Sequence, residues 1–188
     1  IQVKTKDWVV QNDLLFHEGD YIDPVLFADT EKNLWERETF KDLKIFLVPV
    51  DGSDNLVDVV IMVQDKWSWG LQTSLEYSRI AVGIQFKNFL GLPQSISNYV
   101  SFNYRKDNFY SVYGNYLYEN IRKSHIDARV SYNYDNFSKG GKINIRRDFF
   151  SANSKWAGHI QSALYRESAA MPNAFGDAIP TNIFYNWQ

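Results

Sequence analysis

The sequence predicts two parts of different fold class: a small α+β domain over residues 1–65, then an all-β antiparallel barrel of the membrane-spanning kind over residues 66–188. Three observations carry this. Aromatic residues make up 16% of the chain, yet mean hydropathy is -0.39, as expected of strands greasy on one face and wet on the other. Helical spacing of apolar residues gives out near Asp65. Strict alternation of apolar and polar residues takes over beyond it.

The first part opens on Ile1 to Val3, which reads as the stump of a strand. Thr5-Lys6-Asp7 then introduces Trp8, Val9, Val10, Leu14 and Leu15, a short helix with Thr5 as its N-cap. His17-Glu18-Gly19-Asp20 reads as a turn. Asp23-Pro24 starts a second helix, with an acid at the N-cap and proline at the first helical position. Its stripe is Leu26, Phe27, Leu34 and Trp35, with Glu31, Lys32, Glu36 and Arg37 opposite. Strands follow at Leu43 to Val50 and Leu56 to Val63, joined by the turn formers Asp51-Gly52-Ser53-Asp54-Asn55. The predicted order is β-α-α-β-β.

The second part is read as strands throughout. Trp67 to Tyr77, Ile80 to Phe86, Val100 to Tyr104 and Ile126 to Tyr134 alternate strictly, and the runs at 109–118, 142–149, 155–165 and 181–187 do so less cleanly. By composition alone a soluble β-sandwich or sugar-binding module competes evenly. Several runs approach the roughly 9–11 residues of a tilted membrane strand, longer than the usual strand of about 5–6, and this favours the barrel. The polar face carries Arg79, Gln85, Lys87, Arg105, Asp127, Arg129, Lys142, Arg146 and Asp148. Such charges are costly in a sealed core but line water in a wide barrel. The other face carries Ile84, Phe86, Phe102, Val130 and Tyr132, which would meet lipid. Trp67, Trp69, Tyr77, Tyr104, Tyr116, Tyr118, Tyr132, Tyr134 and Trp156 lie near strand ends, as interfacial girdles do.

Other classes find little support. A net charge of -2 gives no basic field for nucleic acid. The absence of cysteine excludes disulfides and thiolate chemistry. No apolar run nears the roughly 18 residues of a membrane helix. The chain begins at Ile1 as if inside a strand, so a signal peptide is expected to have been removed or the segment excised. His17, His125 and His159 are scattered, the last two on polar strand faces, and predict no metal site. Residues 51–55 resemble a calcium loop but lack its distal glutamate, and Gly140-Gly141 reads as a turn because no helix follows. No catalytic constellation appears, so neither enzyme nor cofactor is expected.

The segment TKDWVVQNDLLFHEGDYID, with the following helix and the strands ending VDVVIMVQDKWS, resembles a POTRA domain. This module precedes the barrel in the outer-membrane assembly superfamily. GIQFKNFLGLP at 83–93, around Asn88-Phe89-Leu90-Gly91, is similar to the turn after an early strand of that barrel, and RRDFFSANSKWAGHI at 146–160 to a later segment. The resemblance implies the last POTRA domain plus the first half of a barrel, the family having about twice these strands. Its Arg-Gly-Phe lumen-loop motif is absent here.

The implied function is non-enzymatic insertion, assembly or translocation of client proteins at a bacterial or organellar outer membrane, with the N-terminal domain in the periplasm. The implied partners are unfolded outer-membrane or secreted clients, accessory periplasmic or lipoprotein subunits, and outer-membrane lipid. Lys44, Ile45, Phe46, Leu47 and Val48 would form an open edge that accepts a client strand. A passive channel or scaffold barrel and a soluble two-domain binding module are the alternatives. Taking Trp67–Tyr77 as the first barrel strand puts the turns at Asn88–Ser95, Glu119–Lys123 and Phe150–Ser154 on the periplasmic side. Those at Lys106–Asn108, Asn136–Gly141 and Glu167–Pro180 then fall outside, the last being the longest.

Overall fold

A computed structural model describes residues 3–53, 55–104, 109–135, 138–172 and 178–187, with only the backbone described at 109, 168–172 and 178–187. Two helices come first, α1 (Asp7–Gln11) and α2 (Pro24–Glu36). Asp23 caps α2, its carboxylate accepting the Val25 N–H at 2.9 Å ahead of the proline-led first turn. Strands β1 (Phe40–Pro49) and β2 (Val57–Asp65) pair antiparallel as a two-stranded sheet. Leu34, Phe40 and Leu43 form a small buried core, with Val10, Leu14 and Ile61 packed against it.

The expected β-α-α-β-β domain is overturned: among the described residues the order is α-α-β-β, with little helix and no third strand. Val3 to Lys6 pair with no strand, because their polar groups are used elsewhere. The Val3 N–H donates to Ser68 Oγ at 2.9 Å, and the Thr5 N–H donates to Asp65 Oδ2 at 3.0 Å. The Thr5 hydroxyl also bonds Asp65, so Thr5 does not cap α1; Lys6 holds that position without a side-chain bond. Ile1 lies outside the described residues.

The rest is one eight-stranded antiparallel sheet in simple sequential order. Its strands are β3 (Trp69–Leu75), β4 (Arg79–Phe86), β5 (Gln94–Asn103), β6 (Phe109–Tyr118), β7 (Asp127–Tyr134), β8 (Ser138–Arg147), β9 (Gly158–Pro172) and β10 (Ala178–Trp187). Among the described residues β3 and β10 are its edges. Two loop readings need correction. Gly140 and Gly141 lie inside β8, where Gly140 stands opposite Tyr165; a Cβ there would come within 2.3 Å of that ring. The expected long connection at Glu167–Pro180 is mostly strand, with Pro172 paired to Ala178 and Ala170 to Pro180. Proline lacks an N–H: Pro180 lies on β10, an edge strand among the described residues, and Pro172 lies past Glu167, the last β9 residue paired with β8. Asn173 lies outside the described residues.

Candidate functional site

The register sorts the eight-stranded sheet into two faces, because residues directly opposite one another share a face. One row runs Leu71, Ile84, Asn98, Gly114, Tyr132 and Gly141, and another runs Leu75, Ile80, Phe102 and Tyr110. Ile84, Phe86, Phe102, Val130 and Tyr132 all fall on this apolar face. It is exposed in the chain as described, with Leu71, Val82, Ile84, Val100, Val130, Ile143 and Ile145 all accessible. An amide on it is satisfied across strands: Asn98 Oδ1 accepts the Tyr132 hydroxyl at 2.6 Å. To reach it the Tyr132 ring lies over Gly114, where an added Cβ would sit 2.2 Å from the ring. Glycine is therefore needed at 114.

Gln85, Arg79, Asp127, Arg129 and Arg146 fall on the opposite face. Lys87, one residue past β4, reaches Glu38 at 3.6 Å. Arg146 pairs with Asp148 at 3.1 Å. Arg105 lies outside the described residues. Trp67, Trp69, Tyr116, Tyr118 and Trp156 gather toward one end of the strands; Tyr77, Tyr104, Tyr132 and Tyr134 gather toward the other.

The edge-strand residues Lys44 to Val48 lie in β1, whose only strand partner among the described residues is β2. Leu43 and Ile45 share a face with Ile61 and Val63, the face nearest the small core. Phe46, Leu47 and Val48 are exposed, as are Val60 and Met62. The far half of this ribbon thus presents apolar side chains on both faces.

A third feature escaped the sequence: the joint between the helical unit and the near-end turns, which carry residues 87–93, 119–126 and 148–157. Two of these turns repeat one device. Asn88 and Asn120 each hold a left-handed backbone (φ 52 and 45) ahead of a 3-10 turn, with a second left-handed residue, Leu90 or Arg122, two positions on. Both asparagine side chains are buried. Asn88 Nδ2 donates to Val3 O at 3.1 Å and Thr5 Oγ1 at 2.8 Å. Asn120 Nδ2 donates to Asn12 O at 3.1 Å and Asp13 Oδ1 at 2.6 Å. The third turn is held by Asn33 Nδ2 on Phe150 O at 2.7 Å and by the Ala152 N–H on Asp29 Oδ2 at 2.9 Å.

Arg37 is the hub of this joint. The sequence puts it on the wet side of a helix, but it is the C-cap of α2, its backbone is extended, and its side chain turns inward. It grips Asp13 with two nitrogens, at 2.5 and 3.1 Å. Its Nη1 lies 3.4 Å from Asp127 Oδ1 and 3.8 Å from Glu119 Oε1. Asp127 also accepts the Asn120 N–H at 2.8 Å. Burial lowers the affinity of Arg37 for its proton, but Asp13, then Glu119 and Asp127, outweigh that and leave it raised. Glu119 goes the other way. Burial pushes its carboxyl up to about 7, the attraction of Arg37 opposing and Asp127 and Glu38 adding to the rise. The distances agree: at 3.8 Å the Arg37 contact is too long for a hydrogen bond, and Glu119 Oε2 is buried with no partner among the described residues.

A cavity of about 400 Å³ opens beside the hub, between Asn33, Glu36 and Glu38 on the helical side and Arg129, Lys142 and Arg146 on the strands. His125, placed by alternation on a strand face, instead precedes β7 with φ 55 and stacks on Phe150 at 3.7 Å. Burial lowers its pKa first, with Arg37 and Arg147 adding and Asp13 opposing. Among the described residues no group of three His, Asp or Glu side chains is arranged to hold a metal.

No protein-family model matches the chain, and no curated protein does. Among solved structures it is similar to BamA from Haemophilus ducreyi lacking POTRA domains 1–3, with a TM-score of 0.57 and 14% identity over 94% of this chain. The chain spans 46% of that structure's length, and at this identity the likeness is one of fold.

Proposed function

We propose that this chain is part of an outer-membrane β-barrel protein that inserts, assembles or translocates client polypeptides. The observation that carries the reading is the sheet: sequential antiparallel strands, apolar along one face and polar along the other, laid out as in BamA. In lipid every backbone polar group needs an internal partner, which a closed antiparallel barrel supplies. The apolar face with its aromatic ends suits a bilayer, and the charged face suits a wet lumen. The helical unit sits at the end that carries the turns 87–93, 119–126 and 148–157, longer than those at the other end, and strand order counted from Trp67–Tyr77 puts that end on the periplasmic side. The reading assigns no covalent chemistry to the chain.

The client contact belongs to β1. An open edge takes an added strand through main-chain hydrogen bonds without a sequence code, and exposed Phe46, Leu47 and Val48 add apolar contact. The test uses the full-length protein. It should need detergent or lipid to stay dispersed and should migrate differently on gels with and without heating. A photo-crosslinker at Lys44 should capture unfolded outer-membrane polypeptide. Dispersal in plain buffer with no heat-dependent mobility would favour the soluble binding module. A folded membrane barrel with no crosslink at Lys44 would favour a passive channel or scaffold.

A further inference from the structure

We propose that the Arg37 hub is a proton-controlled joint, in which Glu119 neutral locks the helical unit onto the near-end turns and Glu119 ionised releases it. This goes beyond the proposed function and holds for a channel as well as for an insertase. The geometry carries it. Four charged groups from separate elements meet in one buried place: Asp13 after α1, Arg37 after α2, Glu119 after β6, and Asp127 at the start of β7. The helical side is balanced, since Arg37 holds Asp13 in two hydrogen bonds. The strand side brings two carboxyls to one guanidinium nitrogen, Nη1, and Asp127 is the nearer. With Glu119 neutral, the cluster carries one buried excess negative charge; with Glu119 ionised, it carries two.

The groups facing Glu119 from each packed element decide the sign. Burial disfavours its charge most, Asp127 and the Glu38 carboxylate repel it, and Arg37 with a Glu38 main-chain hydrogen bond opposes them without overcoming the rise. His125 in the same turn is held toward its neutral form by burial and offers little positive charge. Arg129 stands across the β6–β7 ladder from Leu117, two residues from Glu119, and Lys142 and Arg146 line the far wall with Asp148 and Glu36. They line the same cavity as Glu119, yet among the described residues it is Arg37 that comes within ion-pair distance of it, at 3.8 Å. A carboxyl that binds its proton more tightly in the closed joint than in water must, by linkage, favour opening as pH rises.

The experiment uses the full-length protein in detergent micelles, with spin labels on cysteines replacing exposed Glu31 in α2 and Lys155 in the β8–β9 turn. Between about pH 5.5 and about pH 8.5 the wild-type distance distribution should broaden, while Glu119→Gln should stay narrow at both ends. A wild-type distribution that ignores pH, or a Gln variant that broadens equally, would overturn the joint. A second readout needs no variant. The Asn120 main-chain amide, bonded to Asp127, should lose protection from hydrogen exchange by about tenfold over that range, after correction for intrinsic exchange. Constant protection there would also overturn it.

Discussion

The two sheets of this molecule bare apolar side chains in different ways. In the eight-stranded sheet the exposed aliphatic side chains of the described residues lie on one face, where rows such as Leu75, Ile80, Phe102 and Tyr110 continue from strand to strand. The ribbon β1–β2 bares Phe46 and Leu47, which point to opposite faces, and its edges pair with no further strand among the described residues. A one-faced apolar layer backed by a polar one matches a bilayer. A two-faced ribbon does not, since either face turned to lipid would leave the other in water. It matches a strand that adds to its edge and is buried with it. The same exposure thus carries two meanings, and the opposite face tells them apart.

The strongest challenge to that distinction is a charge on the layer. Val130→Arg should cost about 2–4 kcal/mol at mid-depth and block assembly into lipid, whereas its neighbour Arg129→Ala should still assemble. Heat-modifiable gel mobility reads both, and equal tolerance would dissolve the contrast. Next comes the joint between the two regions. The carboxyl of Glu119 sits at about 7 in the fold against 4.5 ordinarily. The unfolded chain therefore loses that proton first, and stability should fall as pH rises from about 4.5 to about 7 and level off above, by at most ~3 kcal/mol. Urea midpoints across that window should show the slope in wild type, and Glu119→Gln should flatten it.

Within the apolar layer, Gly114→Ala should cost about 1–3 kcal/mol, because the Tyr132 ring is held over Gly114 by its bond to Asn98. Tyr132→Ala in the same chain should recover part of that loss, a coupling that a double-mutant cycle in urea measures. The smallest effect belongs to the ribbon. Met62→Gln should change stability by no more than about 0.5 kcal/mol, while Ile84→Gln on the sheet should weaken insertion into vesicles measurably.

Strands were legible where alternation was strict. Ile80 to Phe86 and Ile126 to Tyr134 announce β4 and β7 because one face had to be apolar throughout. Small residues hid the rest: Ser168-Ala169-Ala170 extends β9 although nothing in its composition separates strand from loop. Gly140-Gly141 looked like a turn because glycine usually marks one, whereas here a cross-strand tyrosine demands it. The first strand failed because Val3 and Thr5 spend their hydrogen bonds on Ser68, Asp65 and Asn88. The joint was illegible for a related reason. Asn33 meets Phe150 O from 117 positions away, and no local pattern marks two residues so separated as partners.

The paired asparagine turns have a mechanical consequence. Asn88 and Asn120 tie the helical unit to the hairpins β4–β5 and β6–β7, and Asn33 with Asp29 tie it to β8–β9. A pull on the helical unit away from the near end therefore enters the sheet at three successive hairpins. Each receives it along the strand axis, at right angles to the inter-strand hydrogen bonds. Loaded that way a ladder must shear many bonds together, where a pull across the strands would open them one by one. Tension on the helical unit would be shared across six strands, while the β3 edge is held, among the described residues, by a single such tether, Val3 on Ser68 at 2.9 Å just ahead of β3.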